Sequence, residues 1–377
     1  MIVAAISFLT LVLTFFYAAA VLYFRFGWMR INVAEIPSKP PVTKLSVLIA
    51  ARNEEDKIAL TIEDILKQNY PKNLLEIIII DDHSTDRTAE IISGYSNDGV
   101  KLIRLNESAA LNSYKKKAIS EAIKQATGEL IITTDADCRM ETNWLATIVG
   151  QYELHQYKLI SSPVVFFEEK SFFERLQTLE FLYLIGLGAA TIGNKAPSTC
   201  NGANLAYKKD VFNELDGFKG IDELASGDDE LFLHKVASRY PDDIGFCKSY
   251  DALVYTHAKP NLKEFISQRK RWASKSTKYK DKKIVFLGVS IWLFNVLIIL
   301  TAGLSIFSVT CLAVLGYVLL IKCIAELLFL FPVTSFAKRK ELLAYLPLLT
   351  FIHTIYIAYI GIAGNSGKYI WKDRLVK

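Results

Sequence analysis

The sequence predicts an α/β domain with a mostly parallel sheet, held between membrane-spanning segments. Two observations carry this. Stretches without a charged side chain, taking His353 as neutral, fall at 1–24, 284–321 and 342–367, and ~20 apolar residues cross a bilayer. Between them, short runs that are apolar throughout alternate with helix-period segments, as in a parallel sheet buried on both faces.

The chain has 377 residues, 51% of them hydrophobic, with a mean hydropathy of +0.25, high for a soluble protein. Residues 40–283 have ordinary globular composition and enough length for a sizeable core. The five cysteines (138, 200, 247, 311, 323) are scattered and never spaced C-x-x-C. That pattern supports neither a disulfide framework nor a zinc site, and it suits a reducing compartment. The net charge is +5, with Lys and Arg gathered beside the apolar runs. Such placement fits anionic lipid headgroups and argues against nucleic acid.

Residues 1–27 form the expected anchor: no charge precedes Arg25, so the segment lacks the basic start of a cleaved signal. Arg25, Arg30, Lys39 and Lys44 follow it, which places its C-terminal end in the cytosol. Pro37-Ser38-Lys39-Pro40-Pro41 is a stiff linker. The cytosolic domain, 40–283, opens with a strand at Leu45–Ala50 and a helix to Gln68, stopped by Pro71. A second strand (Ile77–Ile80), a helix (Ala89–Ile92), a third strand (Val100–Leu105), a helix over 115–126 and a fourth strand (Leu130–Ile132) follow. Ser171–Ile192 reads as a helix in the membrane interface or packed on the sheet. Residues 284–366 hold about three more spans: two with a tight turn near 306–309, then one over 342–364. Four spans conflict with the basic tail 367–377, where Lys368, Lys372, Arg374 and Lys377 also favour the cytosol. Lys322 and Glu326, four residues apart in the third span, read as a self-neutralising pair.

Three strand ends carry polar clusters: Asn53-Glu54, Asp81-Asp82 and Asp135-Ala136-Asp137. In a parallel sheet all three line one rim, where ligands bind. An Asp-x-Asp pair there suits a hard divalent cation holding a diphosphate. By itself, the same pair could equally be an acidic turn capping the next helix.

Together with Asn201-Gly202-Ala203-Asn204, Gly227-Asp228-Asp229-Glu230 and Gln268-Arg269-Lys270-Arg271-Trp272, these segments resemble, in order, the motifs of membrane-anchored family 2 glycosyltransferases. His83 stands where that family commonly has glycine, and Asp228-Asp229 where it commonly has Glu-Asp. The resemblance covers about 45–272 and implies a GT-A fold, Rossmann-like. It implies an inverting hexosyltransferase that moves sugar from a nucleotide-sugar, a UDP-sugar by preference, onto a membrane lipid or growing polysaccharide.

The same resemblance implies the site. Asp229 is the expected general base, with Asp228 next in line. Ala50, Arg52, Glu54, Asp82, Lys116 and Asp135 are expected around the nucleotide. Asp137, with Asp135, would hold Mg²⁺ or Mn²⁺. Asn201, Gln268, Arg269, Arg271 and Trp272 are expected at the diphosphate and acceptor. The implied location is the inner (plasma) membrane with the catalytic domain cytosolic. The competing readings are a catalytically inactive membrane scaffold and a nucleotidyltransferase. The scaffold is disfavoured by the retained carboxylates, and the nucleotidyltransferase by its lack of use for Gln-Arg-x-Arg-Trp.

Overall fold

The computed structural model describes residues 1–106, 113–224, 226–364, 369–371 and 374–376. Lys368, Lys372 and Lys377 of the basic tail lie outside the described residues. The chain forms two compact units. One comprises Arg30–Glu168, Thr191–His257 and Ile370–Lys377; the other comprises Met1–Met29, Glu169–Ala190 and Ala258–Tyr369. Residues 169–190 and 258–283, placed in the 40–283 domain by the sequence reading, thus group with the long helices.

The first unit is a sheet domain. Its strands are β1 (Leu45–Ala51), β2 (Leu75–Asp81), β3 (Val100–Arg104), β4 (Leu130–Asp135), β5 (Arg139–Met140), β6 (Leu159–Ser161), β7 (Val164–Phe166), β8 (Leu205–Lys208), β9 (Ile244–Phe246) and β10 (Val254–Thr256). Seven of them form one sheet in the order β3-β2-β1-β4-β8-β6-β9, and β5-β10-β7 form a second. β3, β2, β1 and β4 are mutually parallel. Only β8 runs against its neighbours, so the sheet is mostly parallel, as the sequence predicts. The inner strands are buried on both faces: Leu45, Val47, Leu48, Ile49, Ile78, Ile79, Ile80, Leu130, Ile131 and Ile132 are all in the core. That is why they read as continuous apolar runs instead of alternating ones.

Register delivers the rim. Ala50 of β1 lies opposite Ile80 of β2 and Asp135 of β4, and Ala51 lies opposite Asp81. Since the three strands are parallel, the segments that follow them leave on the same side. At the other end, Gly128 leads into β4, donating its N–H to Ser46 Oγ at 2.9 Å. A Cβ there would lie 2.4 Å from Ser46 N and 2.5 Å from Leu45 C, so no side chain fits.

The second unit is helical, with long helices at Ile2–Arg30, Phe172–Gly193, Lys282–Ser305, Val309–Phe336 and Leu346–Ala363, and a shorter one at Leu262–Ser274. Among the described residues, five stretches are long and apolar enough to cross a membrane: Val3–Arg30, Phe172–Gly193, Lys282–Ser305, Val309–Phe336 and Lys340–Ala363. Phe172–Gly193 differs from the others: its most apolar stretch is 72% buried within the protein, against 28–33% for the other four. It packs on the helix after Ser308, with Tyr183 edge-on to Phe329 and Gly186 close against Val333. Lys322 does neutralise Glu326, at 2.6 Å. The carboxylate also accepts from Tyr17 and Thr350, so a buried charge is left with its acceptor sites filled.

Candidate active site

The rim is built from two interlocked turns. Arg52 donates through Nη1 to the carbonyls of Asp82 (2.9 Å) and His83 (2.7 Å). The Asn53 amide donates to Ser84 Oγ, Asn53 Oδ1 accepts from the Thr85 N–H, and the Glu54 amide donates to Thr88 Oγ1. The Glu55 amide donates to Asp86 while the Arg87 amide donates to Glu55. Both turns need left-handed backbone, at Asn53 (φ 50°) and His83 (φ 54°). Asn and His are among the few non-glycine residues that enter that region readily, so His83 does the work of the family's glycine. Asp82 is buried, with Oδ1 3.0 Å from His83 Nδ1. Arg52 is thus engaged in holding the Asp82 turn. Glu54 opens the following segment: its carbonyl accepts the N–H groups of Lys57 and Ile58.

Beside this clasp sits an acidic cluster with one lysine. Lys115 donates to Asp135 at 2.7 Å and lies 3.3 Å from an oxygen of Asp228. Burial alone would push the Lys115 ammonium down, but the carboxylates of Asp135, Asp228 and Asp229 hold it well above the usual lysine range. Lys116 faces elsewhere. Its ammonium donates to the carbonyls of Ile221, Leu224 and Ser226 at 2.6–2.7 Å, fastening a loop. The ammonium expected near the nucleotide, that of Lys116, is thus engaged with backbone carbonyls, and Lys115 is the lysine set among the acids. Successive helical residues diverge by ~100°, so only one of two adjacent lysines can meet the acids.

Asp229 begins the helix Glu230–Arg239. Its Oδ1 accepts the Glu230 amide at 2.6 Å and its Oδ2 the Gly202 amide at 3.1 Å. The Gly202 carbonyl in turn accepts from Thr133 of β4 at 3.0 Å, so β4 supports the turn that presents Asp229. A Cβ at Gly202 would sit 3.3 Å from atoms of both Asp228 and Asp229, so a side chain there would press on both acids. Asn201 caps this turn through the Ala203 amide. Asn204 is buried and structural: it donates to Pro163 and Ala252 carbonyls and accepts from the Trp144 indole, all within 2.9 Å.

Gln268, Arg269, Arg271 and Trp272 belong to the helical unit, on Leu262–Ser274. Arg269 is 2% exposed and forms a two-pronged pair with Glu180, its third nitrogen donating to Gln268 at 2.6 Å. Its guanidinium lies 4.2 Å from the Trp272 ring centre. Arg269, expected at the diphosphate, is in this structure engaged with Glu180 and Gln268. Arg271 and Trp272 remain partly exposed.

For a divalent cation, the donor set fits in one specific way. Asp135 and Asp137 offer hard carboxylate oxygens, and Asp137 is 30% exposed with Lys57 at 3.7 Å. Among the described residues no three metal-binding side chains cluster. Asp135 and Asp137 could supply one or two ligands to such a cation, with phosphate oxygens and water completing its shell, the usual arrangement for Mg²⁺ with a nucleotide. Cys138, next in sequence, does not join: burial, with the charges of Asp135 and Asp137, pushes its thiol well up, and it stays protonated and inert.

A family described as "Glycosyl transferase family 2" matches residues 46–216. The probable glycosyltransferase YdaM of Bacillus subtilis is 26% identical over 278 residues, 68% of this chain and 62% of that protein. A beta-monoglucosyldiacylglycerol synthase of Nostoc is 33% identical over 109 residues, 29% of this chain and 23% of that one. The poly-beta-1,6-N-acetyl-D-glucosamine synthase of Staphylococcus epidermidis is 28% identical over 177 residues, 46% and 42%. The matches thus span less than two thirds of each relative. Among solved structures, a mannosyltransferase from Pyrobaculum calidifontis in complex with GDP-Man and Mn²⁺ is similar with a TM-score of 0.62 at 19% identity, over 93% of this chain and 99% of that one. At that identity the likeness speaks for the fold.

Proposed function

We propose that this chain, whose residues 46–216 match the family 2 glycosyl transferases, is a glycosyltransferase that moves a hexosyl group from a nucleotide sugar, preferably a UDP-sugar, onto a membrane lipid or growing polysaccharide. The observation that carries this reading is Lys115, which bridges Asp135 at the end of β4 to Asp228 beside Asp229. It links the strand end suited to a diphosphate with the acids suited to proton transfer. The relatives' names point the same way, one to a diacylglycerol glycolipid and another to a polysaccharide.

In this reading Asp82, fixed by His83 and by the turn that Arg52 clamps, accepts a hydrogen bond from the nucleobase. Ala50 and Glu54 flank the nucleoside, and Asp135 sits near the ribose and diphosphate. A Mg²⁺ or Mn²⁺ held by Asp137 and Asp135 would neutralise the leaving diphosphate. Asp229 removes the acceptor hydroxyl's proton as that oxygen attacks the anomeric carbon. Asp228 has an oxygen committed to the Lys115 ammonium, whereas the Asp229 oxygens accept from the backbone amides of Gly202 and Glu230, which hold its carboxylate in place. One base and one displacement invert the anomeric centre. Arg271 and Trp272 act on the diphosphate and acceptor, and Asn201 shapes the acceptor side. The first helix is followed by Arg25, Arg30, Lys39 and Lys44, which favours a plasma-membrane protein with its sheet domain in the cytosol.

The test is to incubate purified protein with UDP- and GDP-sugars and a total lipid extract, and to identify products by mass spectrometry. A glycosylated lipid or polymer is expected. If every donor stays intact with metal present, the inactive scaffold replaces this reading.

A further inference from the structure

The geometry points to Glu180 as a positioning residue for the transfer reaction, acting through Arg269 on Gln268 and Trp272; this rests on the proposal that Trp272 serves the transfer site. Glu180 lies in the apolar helix Phe172–Gly193, outside every motif, and is 5% exposed. A carboxylate in such a place is costly unless paired and hydrogen-bonded. It is: Arg269 donates to Oε1 through Nε at 3.2 Å and to Oε2 through Nη2.

Two parallel hydrogen bonds fix the plane of a guanidinium as well as its position. That plane has two further uses here. Nη1 donates to Gln268 Oε1 at 2.6 Å, which sets the direction of the Gln268 amide. The face of the cation lies 4.2 Å from the centre of the Trp272 ring and 4.6 Å from that of Phe265. Phe181, the residue after Glu180, meets the same indole with ring centres 6.0 Å apart. Glu180 and Phe181 thus hold Trp272 directly and through the guanidinium, and a small misplacement of a substrate-facing group is costly in turnover.

The experiment compares full-length wild type with Glu180→Gln, Glu180→Asp and Trp272→Ala. The readouts are kcat and KM for the UDP-sugar the wild type turns over, UDP affinity, and thermal unfolding. Glu180→Gln is expected to lower kcat about tenfold or more while UDP affinity stays within about twofold. Glu180→Asp, which keeps the charge one methylene short, should recover part of that loss. A purely structural role would instead lower the melting temperature and leave kcat of the folded protein unchanged, overturning the inference. If Glu180→Gln does not fold, Glu180→Asp decides: wild-type kcat there sinks the proposal. If Trp272→Ala itself transfers normally, the reading of Trp272 fails and this inference falls with it. If Trp272→Ala is inactive and the Glu180 variants are not, only the role of Glu180 fails.

Discussion

Lys115, in the first turn of the helix Tyr114–Gln125, donates to Asp135 at the end of β4 across 2.7 Å. This contact joins two segments twenty residues apart and sets a positive charge among the acids. Its neighbour Lys116 has a different task, which makes the pair a clean comparison. Lys116→Met should lower stability by about 2 kcal/mol, because the buried carbonyl of Ser226 and the part-buried carbonyls of Ile221 and Leu224 lose their donor. UDP affinity of the folded protein should be unchanged. Lys115→Met should weaken UDP binding about tenfold with little change in melting. Calorimetry and thermal unfolding of both variants check this; equal effects on UDP affinity would refute the division of labour.

Asp229→Asn keeps the shape of the helix start and an oxygen for one of the two amides, but cannot take a proton. Transfer should fall ~10²–10⁴-fold, with UDP affinity nearly intact. Turnover close to wild type would remove Asp229 as the base.

Asp137→Ala should abolish the dependence of UDP affinity on Mg²⁺ or Mn²⁺. The check is a UDP titration repeated across metal concentrations, and an unchanged metal curve would exclude Asp137 as a ligand.

Asp86 supplies the pH-dependent contact of the rim. Partial burial would raise its carboxyl, but hydrogen bonds from the Thr88 hydroxyl and amide, and from the Glu55 amide, outweigh that and lower it below the usual 3.8. A depressed carboxylate stabilises the fold above its unfolded pKa and loses that contribution as pH falls through its folded value. Asp86→Ala should therefore cost about 1 kcal/mol near neutral pH. The difference from wild type should shrink once the pH drops below 3.8. Hydrogen exchange at Thr88 and Glu55 across pH reads this locally, and a gap that persists in acid would contradict it.

The parallel half of the sheet was legible because its strands are buried on both faces and sit between helices of ordinary length. The rim acids followed from that, since residues just beyond parallel strands must share an edge. The other half was not. Strands such as Arg139–Met140 and Val164–Phe166 have two or three residues, too few for any periodicity. Their pairing with β10 depends on partners about ninety residues or more away. Lys115 and Lys116 both line up with the inward positions Ala118, Ile119, Ala122 and Ile123. The carbonyls of Ile221, Leu224 and Ser226, far away in sequence, decide which of the two is drawn to them. The pairing of Arg269 was not legible for a similar reason: its partner Glu180 lies in a helix with no motif. That same helix looked interrupted as a span because its charge is matched from another helix instead of from water.

The tight start of β4 has an implication for how this enzyme can change over time. Gly128 lies seven residues, ~23 Å of extended chain, from Asp135, at the end of the strands away from the acidic rim. Yet a single methyl at that position collides with the β1 backbone, and β1 leads into the Arg52 clasp while β4 leads into the acids. Variation at Gly128 would thus be felt as a misalignment between the Arg52 clasp and the acidic cluster. A screen that looks only near the chemistry would overlook the position entirely. Efforts to retune the donor have freedom at the loop tips and almost none at the sheet's opposite edge.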